Sequence, residues 1–181
     1  MGLALFGVIL IVSFAAAVVA PYDPLEQDII NRLQGASSEH WLGTDVFGRD
    51  TLSRILHGAQ ISLIIGLTST GIALVAGTTL GIIAGYYGGW TDIALMRFMD
   101  ILLAFPTLIT GLLIVAVLGT NPINIVVAIA VTLLPNFARV ARAPTITLKE
   151  REFIESCRAL GYSDIRIMGV HILPNVIGEV V

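Results

Sequence analysis

The chain has 181 residues, of which 56% are hydrophobic and 13% charged, with a net charge of −3 and a mean hydropathy of +0.89. A soluble domain carries about a quarter charged residues, and a water-soluble fold of this length has too little interior to hide so much apolar surface; a bilayer accepts it, because lipid-facing side chains are apolar too. The small net charge argues against nucleic-acid binding, and the single cysteine, Cys157, excludes an internal disulfide.

Charge is distributed unevenly. No Asp, Glu, Lys or Arg falls between Met1 and Pro21, between Arg54 and Asp92, or between Asp100 and Arg139. Each gap contains a segment that reads as a membrane helix. The first, Leu3 to Ala20, is just long enough to cross about 30 Å of hydrocarbon at 1.5 Å per residue. A cleaved signal is the rival reading, with Ala15, Ala16 and Ala17 near a cleavage site. It lacks a basic region before Leu3, so a retained helix over residues 1–20 is expected.

Residues 21–58 are polar, with Pro21, Pro24 and Gly35 as breakers. Their compact part runs from His40 to Asp50. Thr44 or Asp45 is suited to cap a turn there, Gly43 and Gly48 permit tight bends, and Arg49 is placed to pair with Asp45 or Asp50. Trp41 suits a membrane interface. The His40, Asp45 and Asp50 set shows no metal-ligand spacing, so an ordered loop is expected there and no metal or catalytic centre.

The second segment runs from Ile61 to Tyr86. Ala73, Gly77, Gly81 and Gly85 recur every fourth residue and so share one helix face, where small residues let another backbone come close. A helix packed inside a bundle is expected, against the bland alternative of glycine richness common in membrane helices. The third segment, Met96 to Leu118, contains Pro106. The fourth, Ile123 to Val140, contains Pro135. Each proline removes a backbone donor and is expected to kink or interrupt its helix. Gly119 to Pro122 reads as a tight turn, making the last two segments an antiparallel hairpin. Arg97 and Asp100, one turn apart, are expected to form a local ion pair, and Arg139 and Arg142 to anchor the fourth segment at the interface.

Six of the ten basic residues, Arg139, Arg142, Lys149, Arg151, Arg158 and Arg166, lie at or beyond the end of the fourth segment. Basic loops stay cytoplasmic. The N-terminus and the region after Val140 are therefore expected inside, and residues 21–58 outside.

In that region Lys149 to Leu160 reads as a helix, with Phe153, Ile154, Cys157 and Leu160 on one face. Gly161 stands where a C-terminal cap belongs. Ser163 caps a second short helix with Ile165, Met168 and Ile172 on its apolar side, ended by Pro174. The pair reads either as an amphipathic element on the bilayer or as a docking element for a soluble partner. The mixed charge of its polar face favours docking. Cys157 itself reads as a small apolar residue.

The run Glu155-Ser156-Cys157-Arg158-Ala159-Leu160-Gly161, followed by His171-Ile172-Leu173-Pro174, resembles the EAA signature of permeases in ATP-binding-cassette importers. Ser156 and Cys157 stand where that signature has two alanines. Other runs are similar to the dipeptide/oligopeptide/nickel branch, and to its "C" permease in particular. They include His40 to Asp45, Gly48 to Asp50, Gly58 to Leu63, Gly85 to Asp92, Met96 to Asp100, Phe105-Pro106 and Phe137 to Arg142.

The resemblance implies an all-α polytopic membrane bundle of the type I importer kind, with about four of six expected spanning helices present, and so a fragment short at both ends. It implies a permease domain over residues 59–181 whose coupling loop, 149–174, docks on the ATPase through Phe153, Ile154, Cys157 and Leu160. It also implies a bacterial or archaeal inner-membrane location, a second homologous permease, two ATPase subunits, an extracytoplasmic solute-binding protein and surrounding lipid as partners. The partner ATPases use ATP-Mg; this subunit would bind no cofactor and catalyse nothing itself. Two other classes fit the hydropathy alone. A secondary transporter or channel would show an ionisable residue deep in a helix, and a membrane-anchored assembly protein would need none.

Overall fold

The computed structural model describes residues 2–180. Their regular secondary structure is helical, with no strand among them; Thr44 and Asp50 form an isolated bridge. The chain divides into two compact units, residues 1–66 and 67–181.

In the first unit, α1 (Gly2–Phe14) and the single turn α2 (Ala16–Val19) occupy the first apolar segment. The expected unbroken helix is interrupted at Ala15, whose ψ of 3° is far from the α-helical value near −42°. The 3-10 turn Ile29–Asn31 follows, capped by Asp28. The loop from Leu33 to Asp50 is then closed on itself. The Asp45 carboxylate accepts hydrogen bonds from the Phe47 and Arg49 amides at 2.8 and 3.0 Å and from Arg49 Nε at 2.8 Å, and pairs with Arg54. Gly48 has φ +76°, and the Asp28 carbonyl occupies the place of a side chain there.

α3 (Thr51–Tyr87) begins ten residues before the expected Ile61. Its N-cap is Asp50, whose carboxylate accepts from the Ser53 amide at 2.8 Å. Capping satisfies an otherwise orphaned N–H. At 37 residues α3 rises about 55 Å, well beyond the hydrocarbon thickness.

In the second unit α3 packs on α6 (Pro122–Leu148), as the glycine spacing predicted. A Cβ added at Gly77 would meet Leu134 O and Phe137 Cβ, both at 2.7 Å, one at Gly81 would overlap the Ala138 carbonyl, and one at Gly85 would meet Thr145 Cβ at 2.8 Å. Ala73 is fully buried.

The third segment is two helices, α4 (Gly89–Leu103) and α5 (Thr107–Leu118), bent by 88°. Pro106 causes the break, since the residue before a proline is pushed out of the α region. Asn121 caps α6 through the Ile123 amide, and α5 and α6 form the expected hairpin. Pro135 does not interrupt α6, which also runs on through Pro144 and past the expected end at Val140. Each proline removes one ladder bond, and neighbouring helices hold a membrane helix together over such a gap.

Among the described residues two helices, α3 and α6, are long and apolar enough to cross a membrane, or three if α4 and α5 form one broken span. The break at Ala15 leaves neither α1 nor α2 of that length by itself, although together they fill the first apolar segment.

Candidate functional site

The region after α6 is where the sequence places its candidate residues. α7 (Glu152–Ala159) starts after Arg151, with Glu152 and Glu155 in its first turn and Arg158 in its last. This order complements the helix dipole. The helix begins three residues later than the expected Lys149, which instead caps α6. Gly161 ends it with φ +79°. The Gly161 amide donates to Arg158 O at 2.9 Å and the Tyr162 amide to Cys157 O at 3.1 Å, the paired bonds of a Schellman motif. A Cβ at Gly161 would meet nothing within 4 Å. Conformation alone demands glycine there.

α8 (Asp164–Arg166), a π-helical stretch Ile167–Ile172 and α9 (Leu173–Val180) continue as one helical path. Pro174 does not end it, contrary to expectation. Its ring would collide with the carbonyl four residues back in a regular helix. The wider π turn, in which the Leu173 amide bonds Met168 O, makes room before it.

The expected docking face of α7 divides. Ile154 and Cys157 are buried with Ile82, Tyr86, Ala141, Ile167, Ile172 and Val176 in one apolar cluster. Phe153 and Leu160 stay outside, 43% and 73% exposed, with Ile165 at 79%. Ile154 and Cys157 thus hold α7 onto α3, α6 and α9, and they are not open to a partner. Glu155 and Ser156 are exposed, and Ser156 Oγ donates to Glu152 O at 2.9 Å. Leu173 packs on the apolar cluster, and Pro174 is exposed.

Polar contacts link the turn to α3. Tyr86 Oη donates to Asp164 Oδ1 at 2.6 Å, and the Arg158 guanidinium lies 5.2 Å from the Tyr86 ring centre. Arg166 lies over Tyr162, which stacks on His171 at 5.9 Å. Among the described residues His171 Nε2 is buried without a hydrogen-bond partner.

Two ion pairs were not anticipated. Arg142 forms a bidentate bond to Asp92, both distances 2.5 Å, and Arg139 reaches Asp100 at 2.6 Å. The expected Arg97–Asp100 pair does not form, because Asp100 turns to α6 while Arg97 is exposed. The available signal was two aspartates on α4 and two arginines on α6 in neighbouring segments of a helical hairpin.

In the loop of the first unit His40 Nδ1 lies 2.9 Å from Asp50 Oδ1. Burial raises the Asp50 pKa, but the Ser53 amide and His40 outweigh it and leave the carboxyl below its usual range. Asp45 behaves likewise: desolvation raises it, Arg49 and the turn amides outweigh that, and it falls to about 2. Both are ionised caps that fasten the loop. Among the described residues no group of three or more His, Cys, Asp or Glu side chains is placed to hold a metal.

Residues 77–181 match the family described as "Binding-protein-dependent transport system inner membrane component". The chain belongs to this family. The match begins at the first glycine of the α3–α6 contact and takes in the whole α7–α9 region. The chain is similar to the dipeptide transport system permease protein of Alkalihalophilus pseudofirmus, 45% identical over 99% of this chain and 60% of that protein. It is similar to the glutathione transport system permease protein of Pectobacterium atrosepticum, 44% identical over 98% of this chain and 60% of the relative. It is also similar to the protein of the same description from Escherichia coli O157:H7, 45% identical over 98% and 59% respectively. The chain thus spans about 60% of the length of the curated relatives it matches.

Proposed function

We propose that the chain is part of the permease subunit of an ATP-driven importer, and that its α7–α8 turn is the element that partner ATPases grip. The observation that carries this is the divided face of α7. Ile154 and Cys157 root the turn in the α3–α6–α9 core, while Phe153, Leu160 and Ile165 stand exposed at its tip. A turn rooted in membrane helices and apolar at its tip is built to be pushed from outside the bilayer. Closure of the ATPases would then reach α3 through Tyr86 and Asp164 and drive alternating access.

The subunit itself would be non-catalytic, with ATP-Mg consumed by two ATPase partners. A second homologous permease would complete the pore, and an extracytoplasmic binding protein would deliver cargo. Peptide-like cargo is preferred to nickel because the relatives named above are dipeptide and glutathione transport proteins. The N-terminus and the turn would face the cytoplasm and residues 21–58 the outside, a topology the arginine distribution supports.

The test is Leu160→Asp in the intact transporter. An exposed leucine contributes little to the fold, so the subunit should still insert normally. Recovery of the ATPase with the permease should fall at least about tenfold, as for loss of an apolar contact worth about 1.4 kcal/mol or more, and uptake with it. Unchanged co-purification and uptake would contradict the proposal.

A further inference from the structure

We infer that α4 lies along the membrane surface, its outer face bedded at the phospholipid headgroups with Arg97 on lipid phosphate. Three observations converge on this. The first is depth. The charge-free stretch from Ile101 to Ala138 ends at Arg139, so Arg139 and Arg142 mark where α6 leaves the hydrocarbon. Both aspartates of α4 are fastened to those arginines. The second is direction. Asp92 and Asp100 are about 12 Å apart along α4, whereas their partners are only about 4.5 Å apart along α6. α4 therefore crosses α6 steeply, in keeping with its 88° bend from α5, which packs along α6.

The third is the surface left over. Met99 faces inward, fully buried. On the opposite side Trp90, Ile93, Phe98 and Ile101 are exposed by 83, 55, 52 and 62%. Arg97 falls on the same arc, exposed, and forms no ion pair among the described residues. An apolar strip with a tryptophan and a single unpaired arginine matches the headgroup boundary. There the indole and the aliphatic stem meet acyl chain while the guanidinium meets phosphate. A protein surface covering this strip would have to supply an anion for Arg97; a phospholipid does so at every point.

The inference does not depend on the transport reading, and its test needs no transport. Nitroxide labels are placed by Trp90→Cys, Ile101→Cys and Leu108→Cys, each with Cys157→Ser, in the full-length subunit assembled with its partners in phospholipid vesicles. Depth is read from relaxation by oxygen and by a water-soluble nickel complex. The labels at 90 and 101 should sit at one shallow depth, within about 5 Å of each other, with the label at 108 deeper. A label at 101 deeper than that at 90 by about 16 Å, the rise of eleven helical residues, would mean that α4 spans, and would overturn the inference. So would labels at 90 and 101 that neither reagent reaches, which would show a protein partner, such as the second permease, covering the face.

Discussion

Gly81 and Gly161 have the same side chain and opposite reasons for it. At Gly81 the Ala138 carbonyl fills the space a side chain would need, whereas at Gly161 the space is open and only the positive φ excludes other residues. Gly161→Ala should therefore cost about 1 kcal/mol, the ordinary penalty of the left-handed region. Gly81→Leu should cost about 3 kcal/mol or more, because two helix backbones must separate. Thermal unfolding of the purified protein in detergent checks the difference. Equal losses would show that α3 and α6 are not in such close contact. The Gly77, Gly81 and Gly85 contact was legible in the sequence because a four-residue spacing of small side chains has a single geometric meaning on a helix. The buried state of Ile154 and Cys157 was not. Their spacing shows that they share a face with Phe153 and Leu160, but only the tertiary core decides which part of a face is covered.

The elements follow from the balance between local preference and packing. Pro106 breaks its segment, where α4 and α5 diverge; Pro135 and Pro144 do not, being held in a helix packed on α3. One residue type thus gives opposite outcomes, and the sequence, which predicts a disturbed helix at Pro106 and Pro135 alike, cannot separate them without the neighbours. The start of α3 was missed for a related reason. Arg54, His57 and Gln60 make its first turns polar, so hydropathy begins at Ile61 although Asp50 already caps the helix. The ion pairs between α4 and α6 are not legible from spacing along one helix, because they join two. Their contribution is testable by charge reversal. Asp92→Arg alone should leave Arg142 facing a like charge and destabilise the protein by about 2–4 kcal/mol. Adding Arg142→Asp should recover about half or more of that loss in the same unfolding measurement. No recovery would show that the pair does not join α4 to α6.

At the scale of the whole molecule, hydropathy and the charge-free gaps revealed the apolar segments and the membrane setting. They did not reveal the breaks at Ala15 and Pro106, because a gap without charge does not require a straight helix. The family match and the fold agree on a membrane component whose conspicuous feature outside the apolar helices is a helical turn rooted in their core. The account rests on that turn facing the cytoplasm. The direct measurement is labelling of Leu160→Cys, in a Cys157→Ser background, with a membrane-impermeant thiol reagent in oriented vesicles. Leu160 is 73% exposed, so a thiol there should react in inside-out vesicles, more slowly when the ATPase subunits are bound, and not in right-side-out ones. Reaction in right-side-out vesicles would place the turn outside and contradict the account.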